Sequence, residues 1–166
     1  PDRIESFLEK TMSGIKPKLS IKLRIGLKYP DEVLQLIPIF NQYPLEELII
    51  HPRTGVQMYD GEVDLAMFEQ CLGLSKHRIV YNGDIDSVEK LEMLAKRFGS
   101  IERWMIGRGL LANPFLAEKI KFHTEKPYNE EFKIIRAFHD QLFAEYLKIL
   151  SGPAHFTNKM KEIWTY

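Results

Sequence analysis

Apolar residues recur along this chain with two alternating periods, and the alternation outlines a fold. Ile4, Phe7, Leu8 and Met12 fall on one helical face, and Gly14 and Pro17 stand where that helix should end. Residues 19–25 (Leu-Ser-Ile-Lys-Leu-Arg-Ile) switch to the two-residue alternation of a strand. Residues 31–42 return to a helical pattern, opened by Asp31 and bent or shortened by Pro38. Leu48-Ile49-Ile50 is a short apolar run, expected as a buried strand ending at His51. A loop from Thr54 to Val63 then leads into a helix over 64–73 capped by Asp64. Residues 78–81 predict a third strand. Asp86 and Glu89 have capping-box spacing for the helix after it. Residues 103–106 predict a fourth strand, and Pro114 opens a short helix.

Beyond residue 120 the strand pattern stops. Residues 129–150 predict one long amphipathic helix with Phe132, Ile135, Phe138, Leu142, Phe143, Tyr146, Leu147 and Leu150 on its apolar side. Ser151-Gly152-Pro153 breaks it, and 154–164 predicts another helix. Four βα units, each about 25–30 residues long, imply a parallel α/β sheet with right-handed crossovers. Four units are half of an eight-unit barrel, which needs about 250 residues. The expected organisation is therefore half a TIM barrel over residues 1–120 and an all-α segment over 121–166. A bare half-barrel leaves two unpaired edges, so either a longer parent chain or a second half-barrel is expected to cover them.

Composition narrows the function classes. Twenty-three Lys and Arg balance twenty-three Asp and Glu, so no global basic field points to nucleic acid. The single cysteine, Cys71, excludes an internal disulfide and fits a reducing compartment. No apolar run approaches the roughly 20 residues of a membrane helix, and no signal-peptide pattern is read at the first residues, so a cytoplasmic soluble protein is expected.

The chemistry-bearing residues cluster at the C-terminal ends of the predicted strands, where α/β folds bind ligands. Lys22 and Arg24 are two residues apart and point to one side of their strand. Charge on an inward face calls for an anionic or polar ligand, whereas an edge strand carries lysine simply to stay soluble. His51 leaves the second strand with Arg53 and Thr54 beside it. Asn82-Gly83-Asp84 and Gly107-Arg108-Gly109 follow the third and fourth strands. Two successive strand-end glycines with an arginine suit a phosphate monoester, because backbone N–H groups approach the anion and a guanidinium binds it in bidentate fashion. Asn-Gly-Asp is also an ordinary turn. No P-loop, dinucleotide fingerprint, nucleophile elbow or zinc motif is present in the sequence. Cys71 falls inside a predicted helix, which favours an inert packed thiol. Lys148, His155, Asn158, Lys159 and Lys161 with Trp164 and Tyr166 suit either an RNA backbone or a plain solvated face.

Taken together, Leu-Ser-Ile-Lys-Leu-Arg-Ile-Gly-Leu, Ile-His-Pro-Arg-Thr with Gln57-Met58-Tyr59-Asp60-Gly61, Tyr-Asn-Gly-Asp-Ile and Met-Ile-Gly-Arg-Gly-Leu-Leu-Ala-Asn-Pro-Phe resemble the tRNA-dihydrouridine synthases. The likeness is strong over about residues 19–117. It is weaker over Asn158-Lys159-Met160-Lys161 to Trp164. The resemblance implies barrel strands five to eight of an FMN-dependent (β/α)8 enzyme, followed by a helical domain that holds tRNA. In that family NADPH reduces the flavin, which delivers hydride to C6 of a uridine. It implies flavin-ring contacts from Lys22 and His51. Asn82, Gly83, Asp84, Gly107 and Arg108 would lie at the ribityl-phosphate end, with Arg24, Arg53 and Tyr59 near the uridine or its phosphates. The family commonly has glycine after the histidine, where this chain has Pro52. The family's catalytic cysteine belongs to the loop after strand four. No residue of this chain matches it, Cys71 included, so no catalytic residue is assigned and the chain alone is expected to be inactive. Two rival readings remain from the residues themselves: a phosphate-binding barrel enzyme without flavin, and a non-catalytic half-barrel that binds RNA.

Overall fold

A computed structural model describes residues 2–14 and 18–165, so the expected helix stop at Pro17 lies outside the described residues. The chain divides into two compact units, Pro1–Ile85 with Glu92–Gly107, and Asp86–Leu91 with Arg108–Tyr166. Among the described residues no helix is long and apolar enough to cross a membrane.

The first unit contains α1 (Asp2–Gly14), β1 (Ser20–Gly26), α2 (Glu32–Phe40), β2 (Glu47–Thr54), α3 (Leu65–Leu74), β3 (Arg78–Asn82), most of α4 (Val88–Arg97) and β4 (Arg103–Met105). The four strands are all parallel and lie in the order β1-β2-β3-β4. Strands in chain order with helices in the connections form a partial TIM barrel, as the βα rhythm predicts.

Register decides which residues share a face. Leu23 pairs with Ile50, Ile50 with Tyr81, and Tyr81 with Trp104. With alternation along each strand, that row, together with Ile25, Leu48 and Ile79, makes one apolar face. Ile25, Leu48, Ile50 and Tyr81 are fully buried. Phe68 of α3 and Phe98 beyond α4 each meet Tyr81 or one another edge-on at 4.9 Å, so aromatic packing seals this face. In α2, Val33, Ile37 and Phe40 recur at helical spacing and are buried.

Local chemistry departs from expectation in three places. β2 does not end at His51 but continues to Thr54, every residue from Leu48 onward being buried. Arg24 pairs with His51, yet Gly26 pairs with Thr54, so β2 carries one extra residue between those pairs. Pro52 lies in that bulge, where a missing N–H breaks no ladder bond. At α2, Asp31 makes no side-chain cap. Glu32 instead reaches back, and its carboxylate accepts the N–H groups of Leu27, Lys28 and Tyr29 at 2.8–3.0 Å. These bonds stabilise the carboxylate and hold its pKa below the usual range. At α4 the cap moves from Asp86 to Ser87, whose hydroxyl accepts the Lys90 N–H at 3.1 Å. Asp64 caps α3 as predicted, accepting the Met67 N–H at 2.8 Å.

The second unit is helical: α5 (Arg108–Ala112), α6 (Leu116–Phe122), α7 (Tyr128–Ile149) and α8 (Pro153–Trp164). Gly152, at φ 85°, makes the turn that lets Pro153 start α8. Phe143 meets Phe156 edge-to-face at 4.5 Å, joining α7 to α8, and Lys119 pairs with Glu131 at 2.9 Å, joining α6 to α7. The predicted apolar side of α7 splits. Leu142, Phe143, Tyr146 and Leu150 are half-buried, whereas Phe132, Ile135, Phe138 and Leu147 are exposed.

Candidate functional site

The face opposite the apolar row carries the polar residues. Register sets Lys22 beside Ile49, and Arg24 beside His51. Asn82 lies one position beyond Tyr81 on β3 and pairs with Met105. Lys22, Arg24, His51 and Asn82 therefore share one face near the C-terminal strand ends. Ile49 and Val80 continue the Lys22 row and lay an apolar floor beneath them. Lys22 loses some of its basicity, first through burial and then through Arg24. The Arg24 guanidinium donates to the Thr54 carbonyl at 2.7 Å and lies over the Tyr59 ring at 5.4 Å. Arg24 and Tyr59, both assigned to substrate in the family resemblance, are thus brought together.

Arg53 has a different setting. It is 3% exposed, and both terminal nitrogens bind Asp84, Nη1 to Oδ1 at 2.8 Å and Nη2 to Oδ2 at 2.5 Å. Nη2 also donates to the Gly61 carbonyl. This fork ties the end of β2 to the loop after β3 and to the turn before α3. Nη1 also lies 3.4 Å from His51 Nε2. His51 is 7% exposed, and its pKa falls from 6.5 to about 4. Burial is the main cause. Arg24, Lys22 and Arg53 add to it, and Asp84 opposes it. The imidazole is therefore neutral at neutral pH.

In Asn82-Gly83-Asp84 the left-handed residue is Asp84, at φ 44°, not the glycine. Gly83 serves close approach instead. A methyl there would lie 3.1 Å from Val63 Cγ1 and 3.3 Å from His51 Cδ2. The Asn82 side chain donates to the Met105 carbonyl at 2.8 Å, fastening β3 to β4. A methyl on Gly107 would meet nothing within 4 Å, so open space lies beside that strand end. Arg108, expected in a loop, is the first residue of α5.

Cys71 is fully buried in α3, and burial pushes its thiol up to about 11, the setting of an inert packed thiol. Among the C-terminal cations, Lys148 pairs with Glu145 at 2.7 Å and Lys159 with Glu162 at 2.6 Å. Tyr166 lies outside the described residues. No group of three or more metal-ligating side chains occurs among the described residues. Sequence reasoning missed the Arg53–Asp84 fork and the Glu32 loop anchor. The fork joins residues 31 positions apart, and no periodicity links them.

The chain belongs to the dihydrouridine synthase family, whose model, described as Dihydrouridine synthase (Dus), matches residues 1–164. It is 29% identical over 143 residues to tRNA-dihydrouridine synthase B of Pasteurella multocida, covering 81% of this chain and 43% of that relative. It is 26% identical over 160 residues to tRNA-dihydrouridine synthase B of Vibrio vulnificus, covering 92% and 49%. A probable tRNA-dihydrouridine synthase of Staphylococcus aureus is 30% identical over 154 residues, covering 89% and 45%. The chain thus spans about half the length of these curated relatives.

Proposed function

We propose that this chain supplies barrel strands five to eight of a tRNA-dihydrouridine synthase, with residues 1–120 as the flavin-binding half-barrel and 121–166 as a helical tRNA-holding segment. The whole enzyme reduces uridine in tRNA to 5,6-dihydrouridine, with FMN as cofactor and NADPH as reductant. The observation that carries this reading is the polar row at the strand ends, where Lys22, Arg24 and a neutral, buried His51 share one face. Such a row suits a planar ligand with acceptor atoms and an anionic tail. The open space at Gly107 fits a group approaching the backbone closely.

In this reading Lys22 and His51 hold the flavin ring, and Lys22 offsets negative charge at the ring's N1 and C2 carbonyl end. Asn82, Gly83, Gly107 and Arg108 hold the ribityl-phosphate end, and Asp84 contributes by fixing the loop through Arg53. Bound FMN supplies hydride transfer between the nicotinamide and the pyrimidine. Arg24 and Tyr59 orient the uridine. The proton for C5 comes from outside this sequence, because Cys71 is packed inside α3 out of reach of a ligand, and burial makes its thiol a weaker acid. The first half of the barrel, or a second half-barrel, completes the site and covers the open edges of β1 and β4.

The test reconstitutes this chain with the first half-barrel of a relative. The complex should purify yellow and form dihydrouridine in tRNA with NADPH, and Lys22→Ala or Arg108→Ala should cut flavin occupancy. This chain alone should turn over nothing. A folded, colourless complex, or flavin absorbance unchanged in both variants, would overturn the reading.

A further inference from the structure

We infer that Arg53 and Asp84 are a positioning pair that fixes the His51 ring as its Nδ1–H tautomer, so that His51 offers a donor, not an acceptor, to whatever binds at the strand ends. An arginine side chain only donates hydrogen bonds. Nη1 of Arg53 stands 3.4 Å from His51 Nε2, so that ring nitrogen must be the acceptor. In a neutral imidazole the proton then resides on Nδ1. The ring orientation is set separately. Cδ2, bonded to Nε2, faces Gly83, where a methyl would come within 3.3 Å. Nδ1 therefore lies on the far edge of the ring, and no hydrogen bond occupies it among the described residues. Asp84 holds the guanidinium by both oxygens, and the Gly61 carbonyl fixes its second nitrogen. With those three anchors Arg53 cannot turn away and let His51 flip.

The charges around the ring act in the same sense. Lys22 and Arg24 on β1 and Arg53 on β2 disfavour the imidazolium, and Asp84 after β3 favours it. Loss of Arg53 leaves Asp84 facing the ring and should move the His51 titration upward. The expected family role of Arg53 at the substrate gives way to action through His51. That this donor serves a flavin acceptor rests on the functional reading above; the tautomer itself does not.

The experiment is long-range ¹H–¹⁵N NMR on the full chain at pH 7 without flavin, with the His51 signals identified by their loss in His51→Gln. The wild-type ring should show a protonated Nδ1 and a bare Nε2. In Arg53→Met the dominant form should revert to Nε2–H, and the His51 midpoint should rise above about 4. Should that variant not fold, Arg53→Lys serves: a single ammonium lacks the planar fork that spans both Asp84 oxygens, the Gly61 carbonyl and His51, so Nδ1–H should lose its dominance. Nε2–H in the wild-type ring, or an unchanged tautomer in a folded variant, would overturn the pair's role. A colourless reconstituted enzyme would overturn the flavin reading and leave this one standing.

Discussion

Removing the charge of Asp84 tests the fork at the strand ends. Asp84→Asn keeps the side-chain shape, and asparagine tolerates the left-handed backbone that φ 44° demands, so strain is unchanged. What changes is the partner of a guanidinium that is 3% exposed. Breaking a buried pair costs about 3–5 kcal/mol, because the remaining charge stays desolvated. Asp84 is 23% exposed, and Asn still accepts one bond. Both facts lower the cost to about 2–3 kcal/mol. With a urea slope of about 2 kcal/mol/M, the midpoint should fall by about 1–1.5 M. Trp104 reports on this unit because its ring lies 5.6 Å from Tyr81. Fluorescence in a Trp164→Phe background, where the replaced ring is exposed, reads the sheet unit alone. A midpoint within about 0.3 M of the parent would refute the claim that the fork stabilises the strand ends.

Two further outcomes are expected. The His51 pKa drops from 6.5 to about 4 on folding, so the unfolded chain takes up the proton first as pH falls. The associated stability, about 3 kcal/mol, is fully present above pH 6.5 and is lost between there and about pH 4. Urea titrations across that window should lose this slope in His51→Gln, and an identical slope would sink the assignment. Glycines should also separate by contact. A methyl on Gly26 would lie 2.0 Å from the Tyr29 carbonyl oxygen, so Gly26→Ala should severely destabilise the β1 end. A methyl on helical Gly73 meets nothing within 4 Å, so Gly73→Ala should add about 0.5–1 kcal/mol. Thermal midpoints moving the same way in both would contradict the packing.

Much of the architecture was legible because local periodicity and tertiary burial agree. The alternation of Ile21, Leu23 and Ile25 with Lys22 and Arg24 marks both faces of β1, and parallel pairing preserves those faces across the sheet. Asp64 caps α3 because Asx chemistry acts over three residues and needs no tertiary partner. Elsewhere the outcome depended on neighbours distant in sequence. β2 runs on past His51 because Gly26 pairs with Thr54 around the bulge, and Pro52 fits that bulge. Asp84 takes the left-handed turn and leaves Gly83 for close approach, because Val63 and His51 crowd that backbone.

By itself the sequence determined the order of strands and helices, the polar face and the place of the candidate ligand groups, since these follow from periods of two and 3.6 residues. Only the tertiary structure decided which groups meet. In the sequence Arg53 stands in a polar cluster beside His51, expected near the uridine or its phosphates by resemblance; folding buries it in a carboxylate fork. That fork, formed across 31 residues, stands against His51, whose charge is set first by burial and then by the cations that folding brings around it. Hydrogen-bond direction and desolvation depend on which groups meet in space, and no pattern along the chain encodes them.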